Sequence, residues 1–585
     1  MSSTRNQIPL HQDWTAVFYD ASTFEELPLD GGSQRSETVD IPFLRASPSC
    51  NAAVLSKSIH LSVAHEDSFW LCFGAAMMAV RVFINGKMSG EHRGGYTPFE
   101  FDISSGLQEG RNQIVIQILG EQAAITENGI SHPVSVSSAT LSGRALAAWQ
   151  KETGLDTPPC RFGIWQEVYL EQRSRTFLQR LMVTSDLVAG ELCVKGSTSS
   201  EKTCTPDLQW QITDTDQQRV DTGTLELVCE SGQTEFNFRV SAAGLKTWSP
   251  DSPTLYQIEF HLLLCNKVVD TQSKRFGYRS FEIDEGDFKL NGSPITLRGE
   301  SNFLQNRGLQ FTNPFSLESP EFWEIHHCRA YLKLLKEELD VNCLRVHGSI
   351  GHPAIFDAAD EVGVLLLNQS SIWSRGYGGY KQNFEPFKRS AAAEIEAWVW
   401  RDASHPSVII WGAENEMARI APNPSEARNF LFLNEEIRRW DTSRPISNDG
   451  SSGAMGEAAE IYHFHHEETY APMLANWKRD KPIVFGEFWI GSRGAEQRLT
   501  TGEEYYSQKD YQEKQWEHWR NRIEPMRMAG ASGVFPYNFS AQWIRSWSTF
   551  RSESNSRTRS WTLDEGMRVG LPDPDTAYDF RINQS

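Results

Sequence analysis

The sequence predicts a multidomain protein in which two β-sandwiches precede a (β/α)8 barrel, and three observations carry that reading. Up to about residue 280, apolar and polar residues alternate in short runs separated by turn residues, with hardly a helical period among them. From about residue 290, short apolar strands alternate instead with amphipathic helices, the texture of a parallel α/β fold. Eight strand candidates fall in that second region, the number that closes a barrel. At 585 residues the chain is also too long for one hydrophobic core.

The first domain is expected over residues 1–175 as a jelly-roll-like sandwich. In AVRVFINGKMSG, Val80, Val82 and Ile84 alternate into an Asn85-Gly86 hairpin turn, and Ile114, Ile116 and Ile118 repeat the pattern. A break near 173–178 follows GIWQEVYLEQ. A smaller sandwich is then expected over 176–283, closing on Trp248-Ser249-Pro250 and SKRFGYR. The barrel takes 284–585. Its strands are predicted at 295–299, 342–348, 364–369, 408–414, 444–450, 461–465, 482–487 and 533–538. Between most of them stand helices such as EFWEIHHCRAYLKLLKEEL and PSEARNFLFLNEEIRRW. SSGAMGEAAE, between the fifth and sixth strands, is too short for a full crossover helix. A doubly wound open sheet is the alternative topology, but it calls for a phosphate or dinucleotide fingerprint that the sequence lacks.

Composition narrows the function. A net charge of −20 argues against nucleic acid or an anionic membrane as partner, since each calls for a basic face. No apolar run is long enough to span a bilayer. Nine cysteines are scattered singly, with no CxxC pair of zinc-ligand spacing, so reduced, mostly buried thiols are expected. The opening residues show no charged flank followed by an apolar stretch, and the expectation is a cytoplasmic protein. Nineteen tryptophans suit a carbohydrate partner, because a flat indole stacks on the C–H face of a sugar ring, but they suit a large core equally. The sequence leaves a homo-oligomer open.

In a barrel of this kind the active site is built at the C-terminal ends of the strands. Glu416 follows the fourth strand and Glu487 ends the seventh, on opposite sides of the mouth. Two such carboxyls match glycosidic cleavage, which needs an acid on the leaving oxygen and a carboxylate at the anomeric carbon. Asn415, Arg345, His347, His463, His465, Trp489, Tyr537 and Asn538 are the candidate substrate-binding residues around them. By strand order Arg345 borders Glu487, where its charge favours the ionised nucleophile. Glu414 is expected in a structural ion pair, because its side chain alternates away from those of its immediate neighbours. His463, His465 and His466 resemble a metal cluster, but no further ligand is evident. The histidines are therefore assigned to sugar hydroxyls, with neither metal nor cofactor. Trp489, two residues beyond Glu487, is the better candidate for a platform under the sugar, and Trp373 is a second; either could instead be barrel packing. Arg545, Arg551, Arg557 and Arg559 read as a solvated face or as receivers of an acidic sugar.

These residues resemble glycoside hydrolase family 2, along essentially the whole chain. INGKMSGEHRGGYTPFEFDIS (84–104) and GIWQEVYL (163–170) are similar to its galactose-binding-like N-terminal domain. WSPDSPTLY (248–256), FGYRSFEI (276–283) and LNGSPITLRG (290–299) are similar to its immunoglobulin-like middle domain running into the barrel. Asn415-Glu416, shortly beyond Trp411 with His405-Pro406-Ser407 ahead, resembles the family's acid/base motif. It implies that role for Glu416 and 2-hydroxyl contact for Asn415. KPIVFGEF (481–488) resembles the nucleophile strand and implies that role for Glu487. The resemblance implies a retaining exo-β-glycosidase, with the sandwiches walling its pocket. A non-catalytic carbohydrate-binding protein that has kept the fold is the alternative, and a scaffold of sandwiches with a decayed barrel is a third.

Departures bear on the sugar. RVHGSIGHPAIFDAADEVG stands at 345–363, where galactosidases and glucuronidases show an Arg-x-Ser-His-Tyr-Pro type of segment. GEFWIGS resembles the mannosidase and glucosaminidase pattern. Asn368-Gln369 stands where an acidic residue is common, FPYNF replaces a frequent Trp, and no Asn-x-Lys signature for glucuronate is apparent.

Overall fold

The computed structural model describes residues 5–21, 23–29, 35–47, 50–62, 67–120, 160–302, 324–338, 340–347, 350–372, 384–417, 423–465, 474–489 and 524–537. At the N-terminal end a six-stranded antiparallel sheet runs in the order 37–39, 14–19, 52–61, 110–119, 79–84, 87–93. A four-stranded sheet runs in the order 6–9, 168–174, 67–73, 99–102. The alternating residues of the sequence are its core. Ile114 faces Ile84, Ile116 faces Val82 and Ile118 faces Val80 across one ladder, and all six are fully buried. Asn85 and Gly86 both take positive φ (51° and 80°), as a two-residue turn matched to strand twist requires.

The second sandwich pairs a three-stranded sheet (176–186, 191–200, 232–241) with a four-stranded one ordered 219–226, 207–213, 256–264, 267–276. Leu181, Val183, Leu192 and Val194 pack with Leu208, Ile258, Phe260 and Leu262 between them. This unit is fastened to the barrel by side chains. Trp248 Nε1 donates to the Asp360 carbonyl at 2.9 Å, and Arg275 reaches Asp357 and Glu361 at 2.6 Å each. Arg180 lies between Trp400 and Trp440, 4.3 and 5.1 Å from the ring centres.

All eight predicted barrel strands are present. They are β1 (Leu297–Asn302), β2 (Cys343–Val346), β3 (Leu365–Gln369), β4 (Val408–Asn415), β5 (Ile446–Asp449), β6 (Tyr462–His465), β7 (Ile483–Trp489) and β8 (Gly533–Tyr537). Every ladder among them is parallel, in the order 5-4-3-2-1-8-7-6. Among the described residues β5 and β6 share no backbone ladder, and only short helical turns (Ser452–Met455, Gly456–Ala458) join them, where the sequence left no room for a crossover helix. Side chains cross this seam instead: Ser447 Oγ lies 2.6 Å from His463 Nδ1, and Ser452 Oγ donates to the His463 carbonyl at 2.9 Å. A hairpin (Phe281–Asp284, Asp287–Leu290) packs Phe281, Phe288 and Leu290 with Trp248 against barrel residues Leu297, Cys343 and Leu365. No helix among the described residues is long and apolar enough to cross a membrane.

Candidate active site

Polar side chains converge where the barrel strands end. Arg345, one residue before the end of β2, is fully buried. Its guanidinium donates to Asp449 Oδ2 (2.9 Å), Ser301 Oγ (2.8 Å), Asn415 Oδ1 (2.7 Å) and Glu487 Oε2 (3.4 Å). The expected Arg345–Glu487 contact is therefore present, but Asp449 is the closer anion.

Asp449, the last residue of β5, is the centre of the network. Arg345 Nε and Gln369 Nε2 donate to its Oδ2, the latter at 2.6 Å. Ser447 Oγ donates to Oδ1 at 2.5 Å, and His463 Nδ1 lies 2.9 Å from the same oxygen. Burial by itself raises a carboxyl pKa, but the hydrogen bonds of His463 and Ser447 and the Arg345 charge reverse that and hold Asp449 well below the usual carboxylate range. The anion in turn orients its neighbours. Gln369 must turn its amide N–H toward Asp449, so its carbonyl oxygen accepts from His347 Nδ1 at 2.7 Å. His347 then carries its proton on Nδ1, and its Nε2 lies 3.4 Å from Glu487 Oε2. Burial, reinforced by the Arg345 charge, pushes the His347 pKa far down, so the ring is neutral.

Glu416 reaches the site through its backbone. Strand alternation would set Asn415 and Glu416 on opposite faces. Glu416 instead adopts left-handed φ (58°), its N–H anchored on the Asp449 carbonyl at 2.8 Å. A non-glycine residue in that region costs about 1–3 kcal/mol and persists where the surroundings over-determine it. His465 joins the two glutamates: its Nδ1 lies 3.1 Å from Glu416 Oε1 and 3.5 Å from Glu487 Oε2. Burial lowers the His465 pKa to about 3 despite the nearby Glu416, so this imidazole too is neutral. The two carboxyl side chains keep 17 % and 11 % exposure, while the Arg345, His347, His463 and His465 side chains keep none, so the carboxyls form the open face. Two glycines make room for the histidines. A Cβ on Gly486 would lie 1.5 Å from His463 Nε2, and one on Gly450 (φ 71°) would lie 2.6 Å from His465 Nδ1.

The structure thus brings together Glu416, Glu487, Asn415, Arg345, His347 and His465. His463 lies behind them with its side chain fully buried, its Nδ1 on Asp449 and Ser447, where it supports Asp449. Trp489 and Tyr537 face one another in the β7–β8 ladder, and their side chains lie outside the described residues. So do Asn538, Trp373, His466 and the four C-terminal arginines. Glu414 departs from expectation. Among the described residues it makes no ion pair; its Oε2 accepts from Met417 N at 2.7 Å and from Ser451 Oγ at 3.1 Å, and burial raises its pKa to about 8. Asp449, Ser301 and Ser447 were not singled out from sequence, and Gln369 entered only as a departure from the family pattern, although the strand-end rule that selected Glu487 applies equally to Asp449. Among the described residues one group has the proximity of metal ligands, Asp357, Asp360 and His405, and its members already have partners: Arg275 lies 2.6 Å from Asp357, and His405 Nδ1 lies 2.6 Å from Asp360 Oδ2.

Three family descriptions match this chain in order. They are the sugar binding domain of the family 2 glycosyl hydrolases over residues 13–129, the central family 2 domain over 176–279, and the family 2 TIM barrel domain over 325–551. The chain belongs to glycoside hydrolase family 2. As a family 2 member it is 24% identical over 383 residues to a β-galactosidase of Thermoanaerobacter pseudethanolicus, covering 64% of this chain and 45% of that one. It is 25% identical over 391 residues to a putative β-glucuronidase of Formosa agariphila, covering 66% and 42%. The chain spans less than half the length of these two relatives. In fold it matches β-glucuronidases from Ruminococcus gnavus (TM-score 0.71, 19% identity, 92% of both chains) and Bacteroides uniformis (TM-score 0.69, 18% identity, 92% of this chain and 65% of that one).

Proposed function

We propose that this family 2 chain is a retaining exo-β-glycosidase that releases a terminal non-reducing sugar through a covalent glycosyl-enzyme. The observation that carries the reading is the meeting of Glu416 and Glu487 on one imidazole nitrogen, at 3.1 and 3.5 Å. Those two distances laid end to end bound the gap between the nearest carboxyl oxygens at the lower edge of the inverting range of roughly 6.5–9.5 Å, and any bend at the nitrogen brings it toward the roughly 5–5.5 Å of retaining enzymes. Names among the relatives, β-galactosidase and putative β-glucuronidase, support a β-glycoside as substrate.

In this reading Glu487 attacks the anomeric carbon while Glu416 protonates the departing oxygen. Glu416 then takes a proton from water, and the hydroxide displaces Glu487. Asn415 Oδ1 is taken up by Arg345 and Gln369, which leaves its amide N–H groups to donate to a sugar hydroxyl. His347, whose Nε2 lies 3.4 Å from Glu487 Oε2, is assigned to another hydroxyl of the same sugar. No step draws on a metal or cofactor.

A panel of aryl β-galactosides, β-glucuronides, β-mannosides and β-glucosaminides tests the proposal. Glu487→Gln should abolish turnover of any accepted substrate, since an amide cannot form the glycosyl ester. Glu416→Gln should slow substrates with poor leaving groups by about 10²–10⁴-fold and activated aryl glycosides far less. Anomeric proton NMR should show the β-product first; an initial α-product would remove Glu487 as nucleophile. Near-normal rates in both variants would defeat the assignment, and sugar binding with no turnover of any glycoside would mark a binding protein.

A further inference from the structure

In the second sandwich Cys204 and Cys229, 25 positions apart, form an isolated antiparallel bridge in which each donates its N–H to the other's carbonyl, both at 2.9 Å. This is the hydrogen-bonded type of antiparallel pair, whose Cα atoms stand about 5.5 Å apart. Disulfide-bonded cysteines have Cα atoms usually 4.4–6.8 Å apart, most often about 5.5–6 Å. Directly opposed residues also project to the same face of the ladder, and hydroxyl contacts place these two there. Cys229 Sγ lies 3.1 Å from Thr198 Oγ1 and Cys204 Sγ 3.5 Å from Ser200 Oγ, alternate residues of the strand Glu191–Ser200.

We infer that Cys204 and Cys229 are a disulfide-forming pair that closes reversibly by exchange with a low-molecular-weight disulfide. Cys204 is partly exposed and Cys229 almost fully buried, so the external disulfide meets Cys204 first. Burial also pushes the Cys229 thiol up, which makes it the slower nucleophile. The Cys204 thiol loses its proton and attacks one sulfur of the reagent, forming a mixed disulfide and releasing one reagent thiol. Cys229 then loses its proton and attacks Cys204 Sγ, releasing the second. Two protein thiols are oxidised and one external disulfide is reduced to two thiols. The bond would clamp the open end of the hairpin formed by Asp207–Thr213 and Arg219–Glu226, where Asp207 faces Glu226 and the second strand is the edge of its sheet. By constraining the unfolded chain such a link stabilises this sandwich.

The test incubates the whole protein with oxidised glutathione, alkylates the remaining thiols, and maps peptides without reduction. A peptide linking Cys204 to Cys229, lost on adding dithiothreitol, is expected, with a higher thermal midpoint for the oxidised protein. Cys229→Ser should instead retain glutathione on Cys204 and show no rise in midpoint, and Cys204→Ser should lose both the adduct and the link at Cys229. A stable glutathione adduct on Cys204 in the unsubstituted protein, or linkage of either residue to another cysteine, would overturn the inference. So would an oxidised midpoint equal to the reduced one. None of these readings depends on glycosidase activity.

Discussion

Asp449 shows how one buried charge organises a site. It balances Arg345, fixes the rotamer of Gln369 and through it the tautomer of His347, and holds His463. Replacing it by Asn keeps the shape but leaves Arg345 with Glu487 as its remaining anionic contact. Breaking a buried pair in this way costs about 3–5 kcal/mol, so Asp449→Asn should lower the denaturant midpoint by a corresponding amount. Removing a negative neighbour also favours ionisation of Glu487, so the acidic limb of the pH–rate profile should move to lower pH. Arg345→Met should move that limb the opposite way. If both variants leave the limb in place, Arg345 and Asp449 are structural and another group tunes the nucleophile. Asp449 escaped the sequence because RPISNDG offers several polar residues at a strand end, and nothing local distinguishes the one that meets a buried arginine from β2.

The elements were far more legible than the contacts between them. Eight apolar runs of period-free strand character predicted eight barrel strands, because a parallel sheet buried on both faces leaves its composition in the sequence. The short segment after β5 likewise foretold the seam without a crossover helix. Local deviations were hidden. The left-handed Glu416 overrides the alternation that placed its neighbours, and Glu414, read by the same alternation, is a neutral buried carboxyl rather than half of an ion pair. Tryptophan enrichment pointed as much to packing as to sugar, since Trp14, Trp248, Trp398 and Trp411 are fully buried. Gly486 in β7 is the clearest case of one element depending on another. His463 on β6 is held by Asp449 and Ser447 and cannot retreat from an added methyl group 1.5 Å away. Gly486→Ala should therefore cost about 3 kcal/mol by urea denaturation, an overpacking cost. In a His463→Ala background the same substitution should cost much less. Equal costs in the two backgrounds would show that some other contact excludes the side chain.

At the scale of the whole molecule, buried titratable groups set how stability depends on pH. His347, His352, His463 and His465 all have pKa values lowered, first by burial, and His352 and His465 come to about 3. Unfolded imidazoles titrate near ~6.5. Below that pH the unfolded chain binds protons that these native histidines refuse, so each contributes stability that is lost on acidification. Glu394 and Glu414 oppose them. Burial raises these carboxyls to about 7 and about 8, so the native state keeps protons that unfolded carboxyls shed near ~4.3. Their contribution is lost as pH rises through the folded values. His405 acts in the same direction: burial alone would lower its pKa, but Asp360, 2.6 Å away, raises it, and that stability is lost above ~6.5. Between about pH 4.5 and 6.5 four histidines outweigh two glutamates, and stability climbs with pH by about 1.4 kcal/mol per unit for each uncompensated proton. Above ~6.5 the four histidines fall silent while Glu394, Glu414 and His405 remain, and the slope reverses. Calorimetric midpoints measured from pH 5 to 8 should thus peak near ~6.5. Glu414→Gln, neutral in both states, should flatten the alkaline side of that peak. A midpoint that climbs steadily to pH 8 in the unsubstituted protein would mean that Glu394 and Glu414 are ionised in the native fold, and that their burial is offset by partners other than Ser371, Met417 and Ser451.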